Sequence, residues 1–390
     1  MRLGAWMPFE AAAGALDFLL KVDVSDSTVR RRAEAAGAAY VAVQAAEVAR
    51  LERERPDGPP GPAVLQLSVD GAMVPLTGGA WAEVKTLAVG EVGERLTREG
   101  VRVASTTELS YFSRLADSET FARLALAETH RRGVATAGVV VGPVDGSEWC
   151  QGFLDYHRPD AVRVLDFPHA LEHVATAARA SFADTAACAG WLAERAADLK
   201  ERDPALALEA LRALPVEGAP DPAAAAEARD ATLAYLEKRA EQIRYAEFLA
   251  AGYPIASGAV ESANKTVVEA RMKGGGMRWE RANVDPMLAL RNIAANDRWD
   301  EAWPEIVAEL RRRAQARADE RRDARRAERP AAAPAPQPPP ADPAPPPAAP
   351  AAPAARQKLV IDGRPTKDHP WKRYPACATP RTHLDRTSAA

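Results

Sequence analysis

At 390 residues the chain is longer than one hydrophobic core usually serves, so more than one folding unit is expected. No run of about eighteen apolar residues occurs, which argues against a membrane-spanning helix, and the start MRLGAWMPFE has no apolar stretch leading to a small-residue cleavage site, so no secretory signal is expected. The formal net charge of −3 excludes a uniformly basic nucleic-acid binder; any grip on phosphate has to be local.

Positive charge does gather locally, at Arg30, Arg31 and Arg32, again at Lys265, Arg271, Lys273, Arg278 and Arg281, and over Arg311 to Arg326. Acids are mixed into the second cluster, so charge alone does not point to DNA. The three cysteines, Cys150, Cys188 and Cys377, are scattered and odd in number. They make neither a disulfide framework nor a Cys-x-x-Cys zinc site, and a reduced, cytoplasmic protein is expected.

Residues 1–54 read as helical. Phe9 to Leu20 is an apolar helix, and a second helix carrying the three arginines starts after a cap at Ser25 or Ser27. That outline fits a DNA-reading helix-turn-helix and fits equally an ordinary solvated helix pair. RPDGPPGP, residues 55–62, reads as a linker and boundary. Residues 63–169 then alternate strand and helix. AVLQLSVDGAMVPL, WAEVKTLAVGEV and VRVASTTELSYF are three successive strands, a meander. A helix opened by Ser118 and closed by Gly133 follows, then the apolar strand VATAGVVVGPV, a helix start at DGSEWCQGFLDYH, and the strand AVRVLD. The order β-β-β-α-β-α-β is that of an RNase H-like α/β fold. Residues 170–252 show no strand and read as an all-helical insertion broken at Pro204, Pro215 and Pro220. Residues 253–328 carry the last helices, and 329–390 form a Pro/Ala-rich tail expected to be disordered.

The carboxylates give the chemistry. Phosphoryl transfer on DNA uses two divalent ions about 3.5–4 Å apart, held by hard oxygen ligands from distant parts of a chain. Asp70, followed by Gly71, ends the first strand as this pattern reads it, and the glycine would allow metal or phosphate close to the backbone. Asp145 follows the apolar fourth strand, where α/β sheets place ligands. Glu261 stands one turn into a helix opened by Ser257, beside the apolar stripe Val260, Ala263, Val267 and Ala270. Taken singly, each is better read as a turn residue, a helix cap, or, for Glu261, a surface partner of Lys265. Glu269 is a weaker rival for the metal. Asp166, with His169, Glu172 and His173 after it, suggests a supporting or structural role, the fourth ligand of a zinc site being absent.

With those residues in view, the phrases SVDGAMVPL, WAEVKTLAVGEV, VDGSEW, DYHRPDAVRVLDFPHALEH, YPIASGAVESANK, MKGGGMRW and NVDPMLALRN resemble transposases of the Kra type of bacterial insertion sequence, within the Mutator-like DDE enzymes. The resemblance runs from residue 5 to 300 with a terminal RPTKDHPWKR. It implies an RNase H-like catalytic domain interrupted by a helical insertion, with Asp70, Asp145 and Glu261 as the catalytic and metal-holding acids for two Mg²⁺ or Mn²⁺ ions. Asp166 and His169 fall on the family's Cys/Asp-x-x-His motif, which makes Asp166 a rival for the second acid, although the strand order favours Asp145 and leaves Asp166 and His169 a supporting layer. Arg30 and Arg31, with Lys265, Arg271, Lys273 and Arg278, would face DNA. Partners implied are the element's terminal inverted repeats, target DNA and a second copy of the chain, in a cytoplasmic, nucleoid-associated protein with no membrane contact. Family members carry a longer region ahead of the helix-turn-helix, which bears on how the terminal repeats are recognised. Two other outcomes stay open: an RNase H-like nuclease without strand transfer, and an inert remnant that only binds DNA.

Overall fold

The computed structural model describes residues 1–98, 100, 102–327, 360–361 and 364–365. They fall into two units, Met1–Arg326 and Ala327–Ala390. In the second, Val360–Ile361 pairs antiparallel with Arg364–Pro365; the tail expected at 329–390 otherwise lies outside the described residues.

The first unit is a mixed α/β structure around a five-stranded sheet. Strands β1 (Val64–Pro75), β2 (Trp81–Leu96) and β3 (Arg102–Arg114) form an antiparallel meander, while β4 (Val139–Val144) and β5 (Val162–Leu165) run parallel to β1. The sheet order is β3-β2-β1-β4-β5. β-Branched and aromatic residues at alternating positions make these segments strands. The fourth strand is shorter than its apolar run, because Gly133, at positive φ, closes a turn in which its carbonyl accepts the Ala137 N–H. β1 fills the run expected for the first strand and continues five residues past Asp70, which therefore does not end it.

Helices cover both faces. In chain order they are α1 (Arg2–Trp6), α2 (Phe9–Leu20), α3 (Asp26–Glu54), α4 (Ser118–Arg131), α5 (Glu148–His157), α6 (Phe167–Ser181), α7 (Thr185–Glu201), α8 (Pro204–Arg212), α9 (Pro222–Glu237), α10 (Tyr245–Ala250), α11 (Gly258–Ala263), α12 (Ala270–Met272), α13 (Arg281–Ala295) and α14 (Trp299–Ala327). A π-helical stretch, Asn264–Glu269, joins α11 to α12. Leu65, Leu67, Val69, Leu87 and Phe112 pack against Phe121 of α4 and Phe153 and Leu154 of α5. Val141, Val164 and Leu165 pack against α6–α10 through Val174, Leu199, Leu211 and Leu236. The all-helical stretch expected at 170–252 is thus present, but its prolines begin helices as often as they break them. Asp203 and Asp221 cap α8 and α9 ahead of Pro204 and Pro222, where a missing N–H costs nothing.

Two boundaries differ from the sequence reading. Residues 55–62 are pinned rather than free: the Pro62 carbonyl accepts the Gly138 N–H, and the Pro59 carbonyl accepts the Thr136 hydroxyl. The N-terminal helices also do not stand apart. α3 is a single helix of 29 residues, capped by Ser25, and Ala33, Ala36 and Ala39 bury themselves with Leu290 and Ile293 of α13 and Trp299 of α14. Among the described residues, no helix is long and apolar enough to cross a membrane.

Candidate active site

The parallel register brings the acids together. Gln66 of β1 stands opposite Val141 of β4; the same offset carried four residues on matches Asp70 with Asp145, just past the end of β4, and the Asp145 charge acts on the Asp70 carboxyl. Val144 of β4 stands opposite Leu165 of β5, so one step beyond lies Asp166. Three aspartates thus mark where the parallel strands stop. Asp70 itself is mid-strand, paired with Thr86 of β2, at the point where β1 runs past the end of β4. The open space expected at Gly71 is filled: a Cβ there would lie 2.5 Å from Glu83 Oε1.

Glu261 arrives from the far side of the insertion. α11 lies across the sheet because Val260 and Ala263 pack on Ala88 of β2. The Ser257 hydroxyl and the Glu261 carboxylate are 3.1 Å apart. Glu261 makes no ion pair with Lys265 among the described residues. The π-helical stretch starts at Asn264, and the Asn264 side chain donates to Asp70 Oδ2 at 2.8 Å. Glu269, the rival acid, is committed to Lys273 at 2.6 Å.

The Asp70 carboxyl is pushed above its ordinary range, first by burial, and also by the charges of Asp145 and Glu261, while the Gly71 N–H and Asn264 pull the other way. Asp145 Oδ1 accepts the Ser147 N–H at 2.9 Å. Its main chain is clamped from the insertion: Tyr235 donates to the Asp145 carbonyl at 2.6 Å, and Arg239 forks onto the Gly146 carbonyl at 2.7 and 3.3 Å. Gly146 takes φ +80°, which suits glycine. The Cys150 thiol, buried beneath Asp145 and Asp70, is pushed up by burial and by both charges; it is a packed thiol pointing at the Val69 carbonyl, 3.6 Å away.

Asp166 is 3% exposed. Its two oxygens accept the Ser257 N–H at 2.6 Å and the His169 N–H at 2.9 Å. It caps α6 and ties the end of β5 to the residue that opens α11. His169 and His173 stand with rings 5.1 Å apart, and His173 stacks on Tyr235 at 3.9 Å. The histidines therefore back the Tyr235 clamp on Asp145.

Asp70, Asp145 and Glu261 are hard oxygen donors of the kind that divalent cations take. No ion pair joins Asp70, Asp145 or Glu261 to a basic residue among the described residues, and the buried Lys85 of β2 is paired with Glu83 and set over the Trp149 ring. Two oxygens beside the acids, Asn264 Oδ1 and Ser147 Oγ, are buried without a hydrogen-bond partner, and hard oxygens of this kind suit Mg²⁺ or its bound water. The set is not a closed cage: no three His, Cys, Asp or Glu side chains among the described residues stand close enough together to hold one ion. Carboxylates sharing a site repel one another, and Glu261, the solvent-exposed member, accepts from the Ser257 hydroxyl.

The basic residues divide. Arg30, Arg31, Lys265, Lys273 and Arg278 are exposed, though Lys273 is paired with Glu269. Arg271 is 2% exposed and does not present itself to a DNA surface; its guanidinium lies over the Phe9 and Trp279 rings and donates to the Gly4 carbonyl. Sequence reasoning missed Asn264, Tyr235, Arg239 and Arg291. The last is buried and donates to the Ala5, Thr266 and Val267 carbonyls. Nothing in a linear pattern marks these residues, because each acts across the sheet or across the insertion. No protein-family model matches the chain, and no curated protein matches it.

Proposed function

We propose that the chain is a DDE transposase of an insertion sequence, with an RNase H-like catalytic core that cuts and joins DNA by two-metal phosphoryl transfer. The observation that carries this reading is that the Asp145 and Glu261 charges bear on the Asp70 carboxyl where β1 runs past the end of β4, with no ion pair from any of the three to a basic residue among the described residues. The sheet order β3-β2-β1-β4-β5 supports it, as does the position of the insertion ahead of the last acid.

Asp70, Asp145 and Glu261 would hold two Mg²⁺ or Mn²⁺ ions. When bound, these supply charge neutralisation at the phosphoryl oxygens and a lowered pKa for an attacking water. The chain's own work is placement. Asn264 and the Gly71 N–H fix the Asp70 carboxylate, Tyr235 and Arg239 fix the turn that carries Asp145, and Asp166 fixes Ser257, which touches Glu261. Water attacks a phosphodiester at the element's end, and the freed 3′-hydroxyl attacks target DNA in line, with no covalent enzyme intermediate. The partners are the terminal inverted repeats, target DNA and a second copy of the chain, and the setting is the bacterial nucleoid.

The test is Mg²⁺- or Mn²⁺-dependent cleavage of a duplex carrying the flanking inverted repeats, with wild type beside Asp70→Asn, Asp145→Asn and Glu261→Gln. Cleavage and 3′-end joining by wild type, lost in all three variants, is the expected result. Cleavage without joining would leave a nuclease. DNA binding by a folded wild-type chain that never cuts would leave an inert remnant.

A further inference from the structure

α14 is seated on the body of the unit only over its first half. Trp299, Trp303, Ile306 and Leu310 pack with the alanines of α3 and with Ile293 of α13, and Arg313 donates to the Ala38 carbonyl at 2.9 Å. Beyond Arg313 the helix continues to Ala327, and from Ala314 to Arg325 every residue except the partly buried Asp319 is exposed. At about 100° per residue, the stripe that seats the first half is continued by Arg317 and Arg321 instead of apolar side chains, so the second half has nothing to pack with.

The charges of this free half are sorted by side. Residues 311–325 hold seven arginines and three acids. Arg312 and Arg313 pair with Glu309 at 2.7 and 2.6 Å, and Arg322 pairs with Asp319 at 3.0 Å. Arg311, Arg317, Arg321 and Arg325 make no ion pair among the described residues. Helical geometry sets these four within an arc of about 120°, with Ala314 and Ala318 between them, while Asp319, Glu320 and Asp323 fall on the other side of the helix. A solvated charged helix places acids four residues from its bases, and like charges at that spacing, as in Arg317, Arg321 and Arg325, oppose helix formation. The helix dipole favours cations only within the last turn, and Arg317 stands well short of Ala327. Alanine is the only apolar residue type on the arginine face, which gives it too little apolar surface to enter a bilayer.

We propose that the free half of α14 lies against the backbone of duplex DNA, with Arg311, Arg317, Arg321 and Arg325 donating to phosphates. Arg317, Arg321 and Arg325 stand about 6 Å apart along the helix axis, and a duplex offers one phosphate charge per about 1.7 Å of its own axis. The guanidinium fork matches phosphate geometry. Contacts of this kind fix the position of a duplex without choosing its sequence. The choice of DNA as partner rests on the DNA-processing reading; the arginine face owes nothing to the carboxylates.

The test is fluorescence anisotropy of the full chain on a duplex of about 30 base pairs and arbitrary sequence, without divalent metal, between about 50 and 200 mM salt. Arg317→Gln, Arg321→Gln and Arg325→Gln combined should leave helicity unchanged by circular dichroism and make the slope of log K against log salt shallower by about 2.7. The deficit of this variant against wild type should then widen about fortyfold as salt falls from about 200 to 50 mM. Changing the same three positions to Lys keeps the charge and should keep the slope. A Gln variant with the wild-type slope, or a wild type that binds no duplex, would overturn the proposal. Duplex RNA of the same length bound more tightly than the DNA, and released by the Gln changes, would overturn the assignment of DNA as partner. Cleavage at the carboxylates is read with metal and this slope without it, so either can fail while the other stands.

Discussion

Asp70 is held by neutral donors and crowded by two carboxylates, so its ionised form is disfavoured in the folded chain. A raised carboxyl pKa means that the folded state keeps the proton to higher pH than the unfolded state. Stability therefore falls as pH rises from the ordinary carboxyl range through the raised value, and the cost persists at neutral pH. Asp70→Asn should then melt above wild type at pH 7, with the gap closing as pH is lowered below the ordinary aspartate range. The same variant should be inert in cleavage. Divalent metal reverses the order: at a hundredfold excess over Kd, Mg²⁺ or Mn²⁺ should stabilise wild type by about 2.7 kcal/mol and Asp70→Asn by far less. Calorimetric melting with and without metal reads all of this, and a wild type indifferent to both ions would remove the metal assignment. Asp166 makes a different prediction, because both its oxygens accept main-chain N–H groups. Asp166→Asn turns one acceptor into a donor facing a donor. It should cost about 2 kcal/mol in urea denaturation and should weaken Mn²⁺ binding, since Ser257 would no longer be fixed beside Glu261.

Among the elements, the helix run from Gly258 to Met272 decides the site's geometry. An uninterrupted α-helix would have put Glu261 and Lys265 on one stripe, which is the pairing a linear reading offers. The π-helical stretch shifts the phase from Asn264 onward, so Asn264 turns to Asp70 while Val267 and Val268 stay in the core. Widened turns loosen the regular hydrogen bonding, and π-helical segments gather at functional sites for that reason. Arg291 meets the resulting need for donors: from α13 it reaches the Thr266 and Val267 carbonyls inside the stretch and the Ala5 carbonyl beyond it. Burial lowers its pKa to about 10, so it still carries its charge at neutral pH. Arg291→Lys keeps the charge but loses the fork. It should destabilise by about 2 kcal/mol, and amide exchange should speed up selectively over 264–269. Uniform exchange across the chain would show that Arg291 only packs the core and does not hold the helical phase.

Across the whole molecule, what the sequence revealed and what it hid divide by range. Strand and helix identities came from local alternation and from caps such as Ser25, and Asp145 and Glu261 could be named because strand ends and helix starts are local events, whereas Asp70, named on the same ground, lies mid-strand. That Asp145 bears on Asp70 could not be read, since it depends on the register of β1 against β4, which hydrogen bonding sets between residues 75 apart in sequence. The burial of Arg271 was equally hidden: in a linear pattern it is one more base in a basic run, and only the docking of Phe9 and Trp279 encloses it. The docking of the N-terminal segment was hidden for the same reason: residues 1–54 read as a helical segment bounded by a linker, while Ala33, Ala36 and Ala39 are the flat face that lets α3 lie against α13. The crossing is closest at Gly37, where a Cβ would sit 2.0 Å from the Pro286 carbonyl oxygen. Backbone on both sides leaves nothing to rotate away, so the two helices would have to separate. Gly37→Ala, which in a free helix would be favourable, should here destabilise the unit by about 3 kcal/mol. Because α13 also carries Arg291, the loss should reach the carboxylate site: Mn²⁺ affinity should fall in Gly37→Ala although the substitution lies in the N-terminal helices. A variant that melts like wild type, or one that melts early yet binds Mn²⁺ as tightly, would mean that α3 is not coupled to the carboxylate site.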